Sequence, residues 1–298
     1  MNSNNRLSSF NLIWAEETFK NKDHELTIEY CKKFIIKDKL SVEGYRLLFK
    51  SLIILRRFQE LIDLKNNIPE FIFNDIEILT NLGVAYQGIS DKVNAEKIYQ
   101  TILSIDKNSV PALTNLGIIE LNNNKHIEGI EYLKKALKSN TLIKESWENL
   151  AQCYLNLNQL SETEEICSSY IKQFGDNTKI LSILTKAYIK SSNFDKAQEI
   201  AEKSIELDGD FLEAHLNLCG ILINKKKYIE GQEVINRLIK KHPNVYQAYY
   251  FQGTIFFETS RYLEAESSFK KALSMNDSNY HTKFKLALTL YKLKKTST

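Results

Sequence analysis

The strings Asn81-Leu82-Gly83, Asn115-Leu116-Gly117, Asn149-Leu150-Ala151 and Asn217-Leu218-Cys219 lie 34, 34 and 68 residues apart, the last interval being twice 34. A fixed period of this length marks stacked supersecondary units. With Ser8 as the first position, units begin at residues 8, 42, 76, 110, 144, 178, 212 and 246, fill 8–279 without insertion or deletion, and leave a half-unit from 280. The seventh position reads Trp14, Leu48, Leu82, Leu116, Leu150, Leu184, Leu218, Gln252 and Leu286, with one polar exception. The eighth is mostly small (Ala15, Gly83, Gly117, Ala151, Cys219, Gly253), and so is the twentieth (Thr27, Ala95, Gly129, Ala197, Gly231, Ala265).

Apolar residues at positions 4, 7, 8 and 11 have the spacing of one helix face, as do those at 20, 24 and 27. Each unit is therefore expected to be a helical hairpin, and the small residues let its two helices approach closely. Turn residues fall where such a hairpin needs them. Asn123-Asn124, Asn158 and Ser191-Ser192-Asn193 separate the two helices, while Gly175-Asp176-Asn177, Asp208-Gly209-Asp210 and His242-Pro243-Asn244 close units. One such hairpin cannot bury both its faces, so stacking on its neighbours supplies the core.

Composition agrees with this. The 298 residues are 43% hydrophobic and 26% charged with only three Pro, which excludes a disordered, collagen-like or membrane-embedded chain. Forty Lys and Arg against 37 Asp and Glu are too balanced to single out nucleic acid or an anionic membrane as partner. Basic residues outnumber acidic ones after Leu212, which reads as a solvated Lys-rich surface. The start lacks a secretory apolar region and no run of about 18 apolar residues occurs, so a cytoplasmic location is expected. Four cysteines without a CxxC pair suggest neither a zinc site nor a disulfide framework.

The units also carry Trp147-x2-Leu150-Ala151-x2-Tyr154, Leu82-Gly83-x2-Tyr86 followed by Ala95-x3-Tyr99, and Tyr249 with Gly253, Phe256, Ala265, Phe269 and Ala272. In these motifs the chain resembles the tetratricopeptide repeat family. The resemblance implies an all-α fold: a right-handed α-solenoid of eight 34-residue hairpins over 8–279, closed by a C-terminal capping helix over 280–295. The unit 42–75 is degenerate. Phe49 and Leu61 occupy its two small-residue places, Lys65 replaces an apolar residue, and Pro69 should stop its second helix early, so this hairpin is expected to be spread or bent. In the capping helix, Leu286, Ala287 and Leu290 are expected on the buried face.

Catalytic chemistry has no residues to converge. His24 and His126 share position 17 but lie three units apart, far beyond chelation in hairpins spaced by ~10 Å. Cys31, Cys167 and Cys219 fall at apolar or small repeat positions and read as buried thiols. The glycines are repeat positions rather than a phosphate loop, and adjacent carboxylates such as Glu164-Glu165 point apart on a helix. The sequence therefore predicts no catalytic residue, no metal site, no cofactor and no enzyme.

A ligand is expected instead on the wall formed by positions 2, 5, 6, 9, 12 and 13 of the first helices. Position 6 presents Asn81, Asn115, Asn149 and Asn217, interrupted by Ile183. A carboxamide can pair with a peptide C=O and N–H whatever the side chain, which suits an extended polypeptide. The similarity of this ladder to the repeat arm of the O-GlcNAc transferases implies the same use; a local role in the helix is the competing reading. The charged clamp that grips terminal carboxylates in chaperone-binding repeats has no matching triplet. At the far end, Tyr250, Phe251, Phe257, Phe284, Leu288 and Tyr291 place large apolar groups on the stripe, open to a partner, to a homodimer or to internal packing. The function expected is a non-enzymatic scaffold binding a protein or peptide on its concave face. Its rivals are the substrate-recognition arm of a glycosyltransferase whose catalytic part is absent from this chain, and a self-associating structural protein.

Overall fold

The computed structural model describes residues 3–296, with side chains described for 11–295. Its regular elements are helices arranged in consecutive pairs: α1 (Ser3–Lys20) with α2 (His24–Lys37), α3 (Val42–Ile54) with α4 (Phe58–Leu64), α5 (Ile76–Gly88) with α6 (Lys92–Ile105), and α7 (Val110–Asn122) with α8 (His126–Ser139). Then follow α9 (Lys144–Asn156) with α10 (Leu160–Phe174), α11 (Thr178–Lys190) with α12 (Phe194–Leu207), α13 (Leu212–Asn224) with α14 (Tyr228–Lys241), α15 (Tyr246–Glu258) with α16 (Tyr262–Met275), and the unpaired α17 (Tyr280–Thr296). No strand occurs among the described residues. Residues up to Ser146 form one compact unit and those from Trp147 a second.

The turn inside every pair is built the same way. Lys22, Arg56, Ser90 and Asn124 in the first unit, and Asn158, Ser192, Lys226 and Ser260 in the second, have φ between 56° and 65° and recur every 34 residues. Side chains other than Gly occupy this left-handed region at a cost, so something must hold them there. A reciprocal bond pattern does so. The Asp91 N–H donates to Tyr86 O at 2.8 Å and the Ser90 N–H to Gln87 O at 2.9 Å, satisfying carbonyls that the helix end would leave unpaired. The same long bond closes the next turn, Lys125 N–H to Glu120 O at 2.8 Å. Second helices are capped where the sequence permits it, by Asp23, Asp91 and Asn193 accepting from Leu26, Asn94 and Lys196.

In the first unit the small residues do what their columns predict. A Cβ on Gly117 would stand 3.2 Å from Gly129 O and 2.8 Å from Leu133 Cγ, so α7 and α8 touch through bare backbone. Gly83 likewise receives the ring of Tyr99, whose hydroxyl donates to Gln87 Oε1 at 2.9 Å. In the degenerate hairpin the second helix is short. Phe49 and Leu61 are both fully buried at the places that elsewhere are small. The helix α4 ends at Leu64 after seven residues, before 3-10 turns at Lys65–Asn67 and Glu70–Asn74 on either side of Pro69. Ile72, beyond the proline, returns to the core with no exposure. Trp14 departs from its column: it is 47% exposed and stacks on Tyr30 at 6.4 Å, because no earlier hairpin covers that side of α1 among the described residues.

In the second unit Gly253 accepts the Phe269 ring, and Gln252, the polar member of the seventh column, pairs with the Ser268 hydroxyl at 3.1 Å. The buried face of α17 is not the expected one. Ala287 and Leu290 are exposed and Leu286 is half-buried, while Thr282 and Thr289 have no exposure at all. Positions 8 and 11 pack against a hairpin's own second helix, which α17 lacks among the described residues. Positions 3 and 10 pack against the hairpin before it, as Ala248 and Ile255 do in α15, and these are what α17 buries on α15 and α16.

Candidate functional site

In the first unit the wall of first helices is linked by charge. The Arg46 guanidinium on α3 reaches Asp75 Oδ2 at 2.6 Å and Glu77 Oε2 at 3.7 Å, and Lys50 pairs with Glu77. Asp75 also caps α5, accepting from the Ile78 N–H at 3.0 Å. Partial burial pushes its carboxyl up, but the bonds from Arg46 and Ile78 outweigh that and hold it below the usual carboxylate range. Beside this cluster lies an open groove of about 570 Å³ lined by Arg46, Asp75, Glu77, Thr80, Asn81 and Pro111, among others. Asn81 is half-buried, and its Nδ2 is fully buried with no hydrogen-bond partner. Asn115, one turn of the pattern later, donates its Nδ2 to Pro111 O at 2.9 Å.

In the second unit Lys179 pairs with Glu148 at 2.8 Å, Lys186 with Glu213, and Lys285 with Glu258 at 3.3 Å. Lys190 donates to Leu155 O at 3.0 Å. Asn149 repeats the state of Asn81, its Nδ2 buried and unpartnered. Asn217 donates to Ser182 Oγ at 3.2 Å, across the buried Ile183 that interrupts the ladder. The four asparagines are thus of two kinds. The Nδ2 of Asn115 and that of Asn217 each have a hydrogen-bond partner, whereas the buried Nδ2 of Asn81 and that of Asn149 have none.

Of the six large apolar residues at the far end, Tyr250, Phe251, Phe257 and Leu288 are half-buried. Tyr250 packs toward Phe251 and toward Phe269 of its own hairpin, with ring centroids 5.5 and 6.1 Å apart. Phe257 meets Tyr262 at 5.6 Å and lies under the Lys285 ammonium at 5.0 Å. Phe251 rests on Gly220, and Leu288 is half-buried. Phe284 and Tyr291 remain 64% and 63% exposed.

The inter-helix ion pairs were not singled out from the sequence, although a signal exists: positions 5 and 9 of one unit oppose position 2 of the next, as Arg46 and Lys50 oppose Glu77 and Lys186 opposes Glu213. All four cysteines are buried, and burial pushes each thiol up to about 12. Among the described residues no group of three or more His, Cys, Asp or Glu is placed to hold a metal ion, and no helix is long and apolar enough to cross a membrane.

Tetratricopeptide repeat family models match residues 188–252 and, in a second form, residues 110–141 and 246–279. Human aspartyl/asparaginyl beta-hydroxylase is 39% identical over 66 residues, which is 22% of this chain and 9% of that protein. Among solved structures, a chain of the APC/C hetero-tetramer Cut9-Hcn1 superposes with a TM-score of 0.67 at 14% identity, over 97% of this chain and 57% of its own. A tetratricopeptide repeat protein from Parabacteroides merdae gives 0.58 at 15% identity over 95% and 98% of the two chains. YrrB, described as a tetratricopeptide repeat protein with an unusual peptide-binding site, gives 0.50 at 15% identity over 66% of this chain and 97% of its own. At these identities the structural likeness is one of fold.

Proposed function

Because this chain carries tetratricopeptide repeats in an all-helical repeat fold, we propose that it is a non-enzymatic scaffold whose first-helix wall holds an extended segment of a partner protein. The observation that carries the proposal is the unpaired amide donor of Asn81 beside an open groove, repeated in kind at Asn149. A buried donor without a partner costs about 1–3 kcal/mol. A peptide carbonyl, met by a small rotation of the amide, would remove that cost, while Asn115 in the same unit offers its carbonyl to a peptide N–H. A donor at one place and an acceptor at the next is what an extended backbone presents in alternation. YrrB, one of the proteins of this fold, is described as having a peptide-binding site.

The test is selection of binders from a random peptide library, with affinity measured by fluorescence anisotropy. Asn81→Ala with Asn115→Ala should weaken selected peptides at least tenfold while the helical CD melt stays nearly unchanged. Equal affinity of the double variant rejects the ladder as the binding element.

The exposed Phe284 and Tyr291 favour a second reading, self-association through α17. Light scattering should show a dimer that Phe284→Ser with Tyr291→Ser returns to monomer. A monomeric parent protein eliminates it.

A further inference from the structure

A cavity of about 280 Å³ opens in the second unit at the seam of α12, α13 and α14, and it uses none of the wall positions described above. Its walls are apolar, with Ile205 from α12, Leu218 from α13, and Val234 and Leu238 from α14. Its remaining lining is basic or neutral: Arg237, Lys241, two histidines and Gly209, with no acidic residue. Lys241 is paired with Asp210. Arg237 has no ion pair among the described residues, and its Nε makes only a long 3.4 Å bond to Glu233 O.

The cavity has a local cause in the repeat. Position 4 is a large knob in other hairpins: Trp147 stands there in α9, and Leu181, with no exposure, in α11. In α13 it is His215, whose Nε2–H donates to Gly209 O at 3.0 Å, six residues back. Tyr249 makes the equivalent bond one hairpin later, to Pro243 O at 3.1 Å. The smaller histidine ring therefore ties the turn as the tyrosine does but fills less of the seam, and glycine at 209 adds no side chain.

We propose that this seam is a binding pocket for an apolar group carrying a carboxylate. Apolar walls with an unpaired guanidinium and no facing acid complement that chemistry and no other common one: a neutral apolar ligand leaves Arg237 unused, and a polar anion leaves the walls unused. An engineered apolar cavity of about 150 Å³ holds benzene, so this volume suits a body of roughly ten non-hydrogen atoms. A free medium-chain acid and the chain end of a polypeptide finishing in a large aliphatic residue share that description.

The full chain is titrated calorimetrically with sodium octanoate, with octanamide, and with a short peptide ending in Leu-Leu as free acid and as amide. The acids should bind at least tenfold more tightly than their amides. Arg237→Gln, an exposed change, should remove that preference, and His215→Trp, which restores the knob of α9, should abolish binding with the helical CD spectrum retained. The tighter of octanoate and the acid peptide identifies the source. Failure of both acids to bind, equal binding of acid and amide, or affinity unaltered in Arg237→Gln overturns the proposal.

Discussion

The hairpins α3–α4 and α7–α8 lie in one compact unit and obey one period, yet they are built oppositely. In α7–α8 two glycines face each other, the helices meet backbone to backbone, and both helices run their full length. In α3–α4 a phenylalanine and a leucine occupy those two places, both are fully buried, and the second helix is halved. Bulk at the hairpin interface is thus buried rather than expelled, in a hairpin whose second helix stops short of Pro69. Lys65, at a place that is normally apolar, becomes the start of a 3-10 turn and sets its ammonium 5.8 Å from the centre of the Tyr86 ring. The segment after Pro69 then supplies Ile72 as the missing apolar contact.

The largest effect that separates the two is expected from Phe49→Ala. The ring is fully buried, and the hairpin around it cannot close over the space because α4 has no second half to bring in. A loss of about 4 kcal/mol in urea denaturation is expected. A loss under 1 kcal/mol would mean that the two helices can still collapse onto each other as α7 and α8 do.

Gly117→Val tests the opposite hairpin. The added atoms meet the Gly129 carbonyl and the Leu133 side chain, so a loss of roughly 2–3 kcal/mol is expected. An unchanged denaturation midpoint would show that the close approach of backbones is not what holds α7 on α8.

The smallest effect compares the two turns. Arg56 and Asn124 hold φ of 56° and 60° at equivalent places. Arg56→Gly is expected to stabilise by about 1 kcal/mol and Asn124→Gly by clearly less, since Asn tolerates the left-handed region better than a long side chain does. Equal shifts in thermal midpoint would mean that the turn bonds already erase the difference between the residues.

Much of the fold was legible from the columns. Apolar periodicity gave the helices, small residues gave the close pairs, and Asn124, Asn158 and Ser192 marked turns that the structure places in the left-handed region. Lys22, Arg56 and Lys226 adopt the same conformation with no favourable residue type, because the helix-end bonds impose it. The ends of the chain read less well. The exposures of Trp14, Ala287 and Leu290 follow from which neighbouring helices the described residues contain, and a column averages over units with a hairpin on both sides. At the candidate wall, the sequence identified the asparagines, but their amides go to a helix carbonyl, to a serine or to nothing according to what stands within reach.

The sequence by itself determined the period, the helical content and which residues occupy equivalent places, since each depends on local spacing and on backbone preferences that act within one hairpin. The tertiary structure alone decided which face α17 buries and which polar groups on the wall keep a free donor. Those outcomes depend on distances between side chains some 30 residues apart, such as Arg46 and Asp75 or Asn217 and Ser182, and a repeat position specifies such a distance only when both neighbours carry the usual residues.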